Sequence, residues 1–158
     1  MSWGCAYGLG LGRSESDYWQ LGVGFTYYYG EIEMRLPTAF DPIAVGEVDN
    51  FAFDFTADVG AATIASTNWT CALAPYQTAT DPTPQARILS ASAQTLMQVR
   101  SPLDGSLQTM TGLFSVASVG GMPASAIGGT YVLEATADLS DGRVLKFSST
   151  VQCAPSAG

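Results

Sequence analysis

Residues Thr130–Cys153 read TYVLEATADLSDGRVLKFSSTVQC. Tyr131, Leu133, Ala135 and Leu139 alternate with Glu134, Thr136 and Asp138, the period-two pattern of a strand with one face toward a core. Ser140-Asp141-Gly142-Arg143 supplies turn chemistry. The return segment repeats the alternation: Leu145, Phe147, Val151 and Cys153 fall inward, and Lys146, Ser148 and Thr150 fall outward. A hairpin with one apolar face needs a second sheet to bury it.

Working outward, the same pattern recurs. In FAFDFTADVGAATIASTNWT (51–70), Phe51, Phe53 and Phe55 share one face, with Asn50, Ala52, Asp54 and Thr56 on the other. Trp69, Cys71 and Leu73 stand together on the next segment. PYQTATDPTP (75–84) reads as a loop. ARILSA and TLMQVR are short strand candidates, SPLDGS is a turn, LQTMTGLFSVASV is a strand with a bulge at Gly112, and GGMPASAIGG is a Gly-rich loop. No window of ten or more residues carries a helical stripe. About seven short antiparallel strands of this kind predict an all-β fold, an immunoglobulin-like antiparallel β-sandwich over residues 41–158.

Residues 1–40 differ. They are dense in glycine and aromatics, with Trp3, Tyr7, Tyr18, Trp19, Phe25, Tyr27, Tyr28 and Tyr29. Only short stretches such as Val23, Phe25 and Tyr27 alternate. This composition makes a poor core and a good contact strip, since aromatic side chains dominate interface energies. The segment is expected to be an extended N-terminal arm, with Tyr18, Trp19, Phe25, Tyr27, Tyr28 and Tyr29 as the partner-binding residues; a flexible tail or an extra edge strand are the alternatives.

The chain has 158 residues, enough for one domain with its own core. Only 13% of residues are charged, low for a soluble domain, which points to surface covered by partners. Net charge is −8 and Lys146 is the single lysine. Such a chain is not expected to neutralise phosphates, so neither nucleic acid nor an anionic membrane is an expected partner. MSWGCAYGLGLG lacks the basic and apolar regions of a signal peptide, and no apolar run reaches the length of a membrane span. Synthesis and residence in a cytoplasm are expected. Cys5, Cys71 and Cys153 are odd in number and match no zinc spacing. Cys71 and Cys153 fall on core faces and read as buried thiols.

Catalytic chemistry finds little footing. There is no histidine, which removes the commonest general base and metal ligand. GLGLGR (8–13) has neither the glycine spacing nor the strand–helix setting of a phosphate loop. Asp54 with Asp58, and Asp138 with Asp141, sit on outward faces or turns, where solubility and turn formation explain them. DLSDG offers too few oxygens for calcium. No catalytic residue, metal site or cofactor is expected.

One resemblance can be traced through particular residues. Asp41-Pro42, the aromatic strand Phe51–Phe55, Thr63–Ser66 leading into Trp69-Thr70, Gly120-Gly121, Gly129–Tyr131 and Gly142-Arg143 together resemble a family of small immunoglobulin-like virion proteins of tailed bacteriophages, of the fibre–tail adaptor type. The likeness spans about residues 41–153. Residues 76–110 match only in alternation, and the arm has no counterpart. The resemblance implies a non-enzymatic structural protein of the virion, made in the host cytoplasm and present in multiple symmetric copies. It would contact tail, neck, fibre or capsid subunits, most readily as an adaptor between fibre, tail or neck. Capsid decoration is the alternative in the same class. A receptor- or carbohydrate-binding module, using exposed aromatics, is the alternative from another class.

Overall fold

The computed structural model describes residues 20–21, 25–29, 32–36, 39–101 and 103–156, with side chains from residue 39 onward, Val99 excepted. Among these residues the chain forms strands β1 (Gln20–Leu21), β2 (Phe25–Tyr29), β3 (Ile32–Leu36), β4 (Ile43–Ala44), β5 (Val48–Asp54), β6 (Ile64–Leu73), β7 (Ile88–Arg100), β8 (Leu107–Gly120), β9 (Thr130–Leu139) and β10 (Val144–Ala154). One sheet has the order β1-β5-β8-β7, the second β4-β10-β9-β6, and β2 pairs with β3 alone. The two four-stranded sheets form an immunoglobulin-like sandwich. β5, β8 and β7 take the places of strands B, E and D, and β6, β9 and β10 those of C, F and G. β1 runs parallel to β5, and β4 parallel to β10.

Side-chain parity builds the core. Phe51 and Phe53 of β5, with Phe55 just past its end, face Trp69 and Cys71 of β6, Tyr131, Leu133, Ala135 and Ala137 of β9, and Val151 and Cys153 of β10. Immunoglobulin domains pack a buried tryptophan of strand C on a disulfide between strands B and F. Here Trp69 packs on Phe53, with ring centroids 5.1 Å apart, and aromatic stacking stands where the cross-link would be. The indole N–H is satisfied across the sandwich, donating to Ser115 Oγ of β8 at 2.7 Å. Phe40 closes one side of this core, 4.3 Å from Phe51. Phe40, the last residue of the expected arm, thus packs into the sandwich.

The β9–β10 hairpin has the expected parity throughout. Its turn is a three-residue loop: Gly142 N–H donates to Leu139 O at 3.0 Å, and Gly142 sits at φ +87°, the left-handed position that glycine fills without strain. The expected bulge at Gly112 is present, as the β7–β8 register shifts opposite Gln94/Leu96.

Other details differ from the reading. ARILSA and TLMQVR are not two strands. Ile88–Ala91 and all of TLMQVR lie in one, β7, because backbone pairing with β8 continues through the register shift, while Ala86 and Arg87 end a 3-10 turn, Pro84–Arg87. Thr56–Val59 forms a single helical turn, α1, too short to leave a periodic signature. Thr56 Oγ1 there accepts from Leu113 N at 2.9 Å, tying the turn to β8.

Cys71 and Cys153 are free and buried. They lie on β6 and β10, which flank β9. Cys71 is level with Leu133 and Cys153 with Gly129, so two strand spacings and a four-residue offset separate their backbones by roughly 16 Å, beyond the roughly 7 Å a disulfide spans. Burial, and then the Asp81 carboxylate nearby, pushes the Cys71 thiol from 9.0 up to about 12; burial raises Cys153 as well. Three units leave about 1,000-fold less thiolate at pH 8 than in an unfolded cysteine. Native labelling of Cys71 by iodoacetamide is therefore expected to be slowed at least that much relative to the urea-unfolded chain. The sign for stability follows. The folded state holds the proton more tightly, so this contribution is complete below pH 9 and is lost as pH rises from 9 toward 12. Denaturation midpoints measured between pH 8 and 11 should fall steadily above pH 9.

Candidate functional site

Among the described residues, three of the four outer edges of the sandwich are at least partly covered. β1 lies on β5, and β4 lies on β10. On β6 a side chain substitutes for a strand: Gln85 Oε1 accepts from Cys71 N at 3.0 Å, and Gln85 Nε2 donates to Trp69 O at 2.9 Å. β7 ends its sheet, and nothing described pairs with its far side. Its sequence, ILSASAQTLMQVR, carries no charge before Arg100. Exposed strand edges usually carry charge or proline to block pairing. Here Leu89 through Ala93 are exposed and uncharged, broken only by register shifts.

β5 pairs with β8 only from Phe114 to Gly120. The paired segments Leu96–Arg100 and Leu107–Thr111 therefore run past the sandwich as a two-stranded ribbon, about 17 Å long. Met97 is buried on it, but Leu96, Leu107 and Leu103 at the tip are exposed, Leu103 at 94%.

The opposite end presents Tyr76. It is fully exposed and, among the described residues, is the non-glycine residue held at positive φ, +63°. The neighbouring Gln77 fixes it there: Nε2 donates to Thr130 O at 2.9 Å, and Oε1 accepts from Thr130 N at 2.8 Å. The clamp on the next residue positions the Tyr76 backbone, so the ring is presented to solvent from a defined point of the loop. Ile127 is exposed at the same end, in the loop that also receives Thr80 N at Ser125 O, 3.0 Å.

Beneath this end lies a buried polar cluster. The Asp81 side chain is fully buried. Its Oδ2 accepts from the Tyr131 hydroxyl at 2.7 Å, and its Oδ1 accepts from Thr83 N at 2.9 Å. Arg87 Nε lies 3.0 Å from Oδ2, off the direction of its N–H, so the contact is an ion pair without a hydrogen bond. Arg87 also donates to Gly121 O and to Thr83 Oγ1, the latter at 3.1 Å. Burial and the Asp81 carboxylate drive the Tyr131 phenol above its ordinary range. The cluster fastens the loop from Ala74 to Arg87 onto β9 and onto the loop after β8.

Of the arm residues expected to bind partners, Tyr18 and Trp19 lie outside the described residues. Phe25, Tyr27, Tyr28 and Tyr29 form strand β2, and their side chains lie outside the description. Cys5 and the GLGLGR stretch also lie outside it. Asp138 accepts from Ser66 Oγ at 2.6 Å, and Asp141 pairs with Arg143 at 2.8 Å, as turn and surface groups do. Among the described residues no three of His, Cys, Asp and Glu stand close enough to hold a metal ion, and no helix is long and apolar enough to cross a membrane. The uncharged β7 edge, the leucine-bearing ribbon and Tyr76 were all missed by sequence reasoning. The low overall charge was their one general signal.

Compared with protein-family models, curated proteins and solved structures, the chain matches none.

Proposed function

We propose that the protein is a non-enzymatic structural component of a bacteriophage virion, an adaptor joining fibre or tail to neck components in multiple symmetric copies. The observation that carries this reading is the pair of apolar contact elements at opposite ends of one sandwich: the ribbon with Leu96, Leu103 and Leu107 at one end, and the clamped Tyr76 with Ile127 at the other. A linker has to touch two neighbours, and a rigid body with a hot-spot candidate at each end meets that requirement. The β7 edge adds a surface for strand addition, which binds through backbone hydrogen bonds and tolerates varied side chains. Of the arm's aromatic positions, Tyr18 and Trp19 are assigned to a neighbour as well.

The test uses one variant at each end, Leu103→Asp and Tyr76→Ala, in phage that depend on the introduced copy. Both residues are exposed, so thermal stability should stay within about 0.5 kcal/mol of the parent. Loss of one hot spot removes roughly 2 kcal/mol or more of binding, which is roughly thirtyfold in affinity. Each variant should therefore fall at least tenfold in copies per particle. Normal incorporation of both would overturn the proposal. Loss confined to one variant would point to a single neighbour and thus to capsid decoration.

Tyr76 also favours a second reading, a receptor- or carbohydrate-binding module, because an exposed ring on a positioned backbone can stack on a sugar. Glycan binding by the isolated protein that disappears in Tyr76→Ala would support it over the adaptor.

A further inference from the structure

Three apolar side chains on the outer face of the first sheet, on β5 and β8, are buried although they are not part of the core. Ala52 pairs with Val116 and Asp54 with Phe114, and all four positions have the parity opposite to Phe51, Phe53 and Phe55. Ala52 and Phe114 are 0% exposed and Val116 is 1% exposed, yet none belongs to the inter-sheet cluster. Their described neighbours on this face include Asn50, Ser92, Gln94 and Ser118, which are short or polar. The Phe114 ring leans along the sheet over Gly112, where a Cβ would come within 2.8 Å of its Cζ, and neighbours this short or polar do not roof its outer side. In a single chain the roof has to come from the chain itself.

The geometry points to the β2–β3 hairpin as that roof, docked on the outer face of sheet β1-β5-β8-β7 as a third layer. Leu21 of β1 is in register with Ala52. Phe25 opens β2 four residues later, a reach of about 13 Å. After β3 the chain returns at Ala39, which bridges Thr150 of β10, and Phe40 N donates to Thr150 O at 2.9 Å. The hairpin is thus tethered at one end on the edge of this sheet and at the other on β10 of the second sheet, where Phe40 packs back on Phe51 of β5. Its strands are about 17 Å long, and the face from β5 to β7 is about 10 Å wide. The register sets Phe25, Tyr27 and Tyr29 opposite Leu36, Met34 and Ile32, so the positions that share one side of the ribbon are all apolar. The other side holds Thr26, Tyr28, Glu33 and Arg35. A two-stranded ribbon gains stability by packing such a side on another layer. This assigns Phe25, Tyr27 and Tyr29 to the chain's own sheet and leaves Tyr18, Trp19 and Tyr28 for neighbours. The docking does not depend on the virion role.

Trypsin tests it on the full chain, because Arg35 lies in β3 and Arg13 precedes β1. Arg35 should be cut at least tenfold more slowly than Arg13 in protein shown to be monomeric by native mass spectrometry. Val116→Asp should undock the hairpin and speed cleavage at Arg35 at least tenfold, while Arg87 and Arg143 stay resistant. Tyr27→Asp perturbs the same contact from the hairpin side and keeps the test valid should Val116→Asp fail to fold. Cutting at Arg35 as fast as at Arg13 would overturn the inference, as would protection that neither variant relieves. Protection found only in a dimeric fraction would also overturn it, placing a second copy's hairpin on the face.

Discussion

Phe53→Ala is expected to remove about 3–5 kcal/mol of folding stability, the range for emptying a buried phenyl site. Phe53 is 1% exposed and is surrounded by three rings, two from strands β6 and β10 and one from Phe40. Its centroid lies 5.4 Å from Phe40, 5.1 Å from Trp69 and 6.1 Å from Phe147. The cavity would open between both sheets, which limits collapse. Trp69 is not free to slide into the space, because its indole N–H is fixed on Ser115. Phe147 is likewise held in a parallel stack on Phe55, 4.4 Å away. A domain has roughly 5–15 kcal/mol in all, so soluble yield should drop with the denaturation midpoint. Urea unfolding would show a lower midpoint at an unchanged slope. A loss under about 1 kcal/mol would mean that the Phe40–Trp69–Phe147 surround repacks, and the account of a rigid aromatic core would fail.

Those core positions were legible in the sequence because a strand's side chains alternate by covalent geometry, and the polar partners Asp54, Glu134 and Lys146 marked the opposite face. β7 was harder. Ser90, Ala91, Ser92 and Ala93 differ too little in polarity to show parity, so one strand read as two fragments. The outer-face burial left a readable sign: in LFSVASV (113–119), Leu113, Ala117 and Val119 have one parity while Phe114 and Val116 have the other. An apolar run without alternation means a strand covered on both faces. Tyr76 and Asp81 lay in a Pro/Thr-rich loop that reads as solvated. Nothing local reveals that Gln77 clamps Thr130, 53 residues on, or that Asp81 meets Tyr131, 50 residues on. The candidate contact surfaces were therefore the part least visible in sequence, since they depend on tertiary partners and on strand edges.

Asp81→Ala should be as damaging as the core truncation, though no ring is lost. The carboxylate is fully buried and engages Tyr131, Thr83 and Arg87 together. Removing one member of a buried ion pair strands the other, at a cost of roughly 3–5 kcal/mol. Here the stranded groups are the Arg87 guanidinium, 16% exposed, and the Tyr131 hydroxyl. Arg87 keeps its bonds to Gly121 and Thr83, which places the expected loss toward the lower end of that range. The local consequence matters for function as much as the global one. The Ala74–Arg87 loop carries Tyr76, and without Asp81 its attachment to β9 rests on the Gln77 clamp and the Ala74 N–H, both on Thr130, while Gln85 holds it only to β6. Hydrogen exchange should quicken first in that loop. Replacing all three charged or polar partners, as Asp81→Leu with Arg87→Met and Tyr131→Phe, should recover most of the loss, because apolar side chains of similar volume fill such a site without stranding a charge. If the single and triple variants are equally unstable, the cluster acts through shape alone, and the ion pair and phenol hydrogen bond have no part in holding the loop.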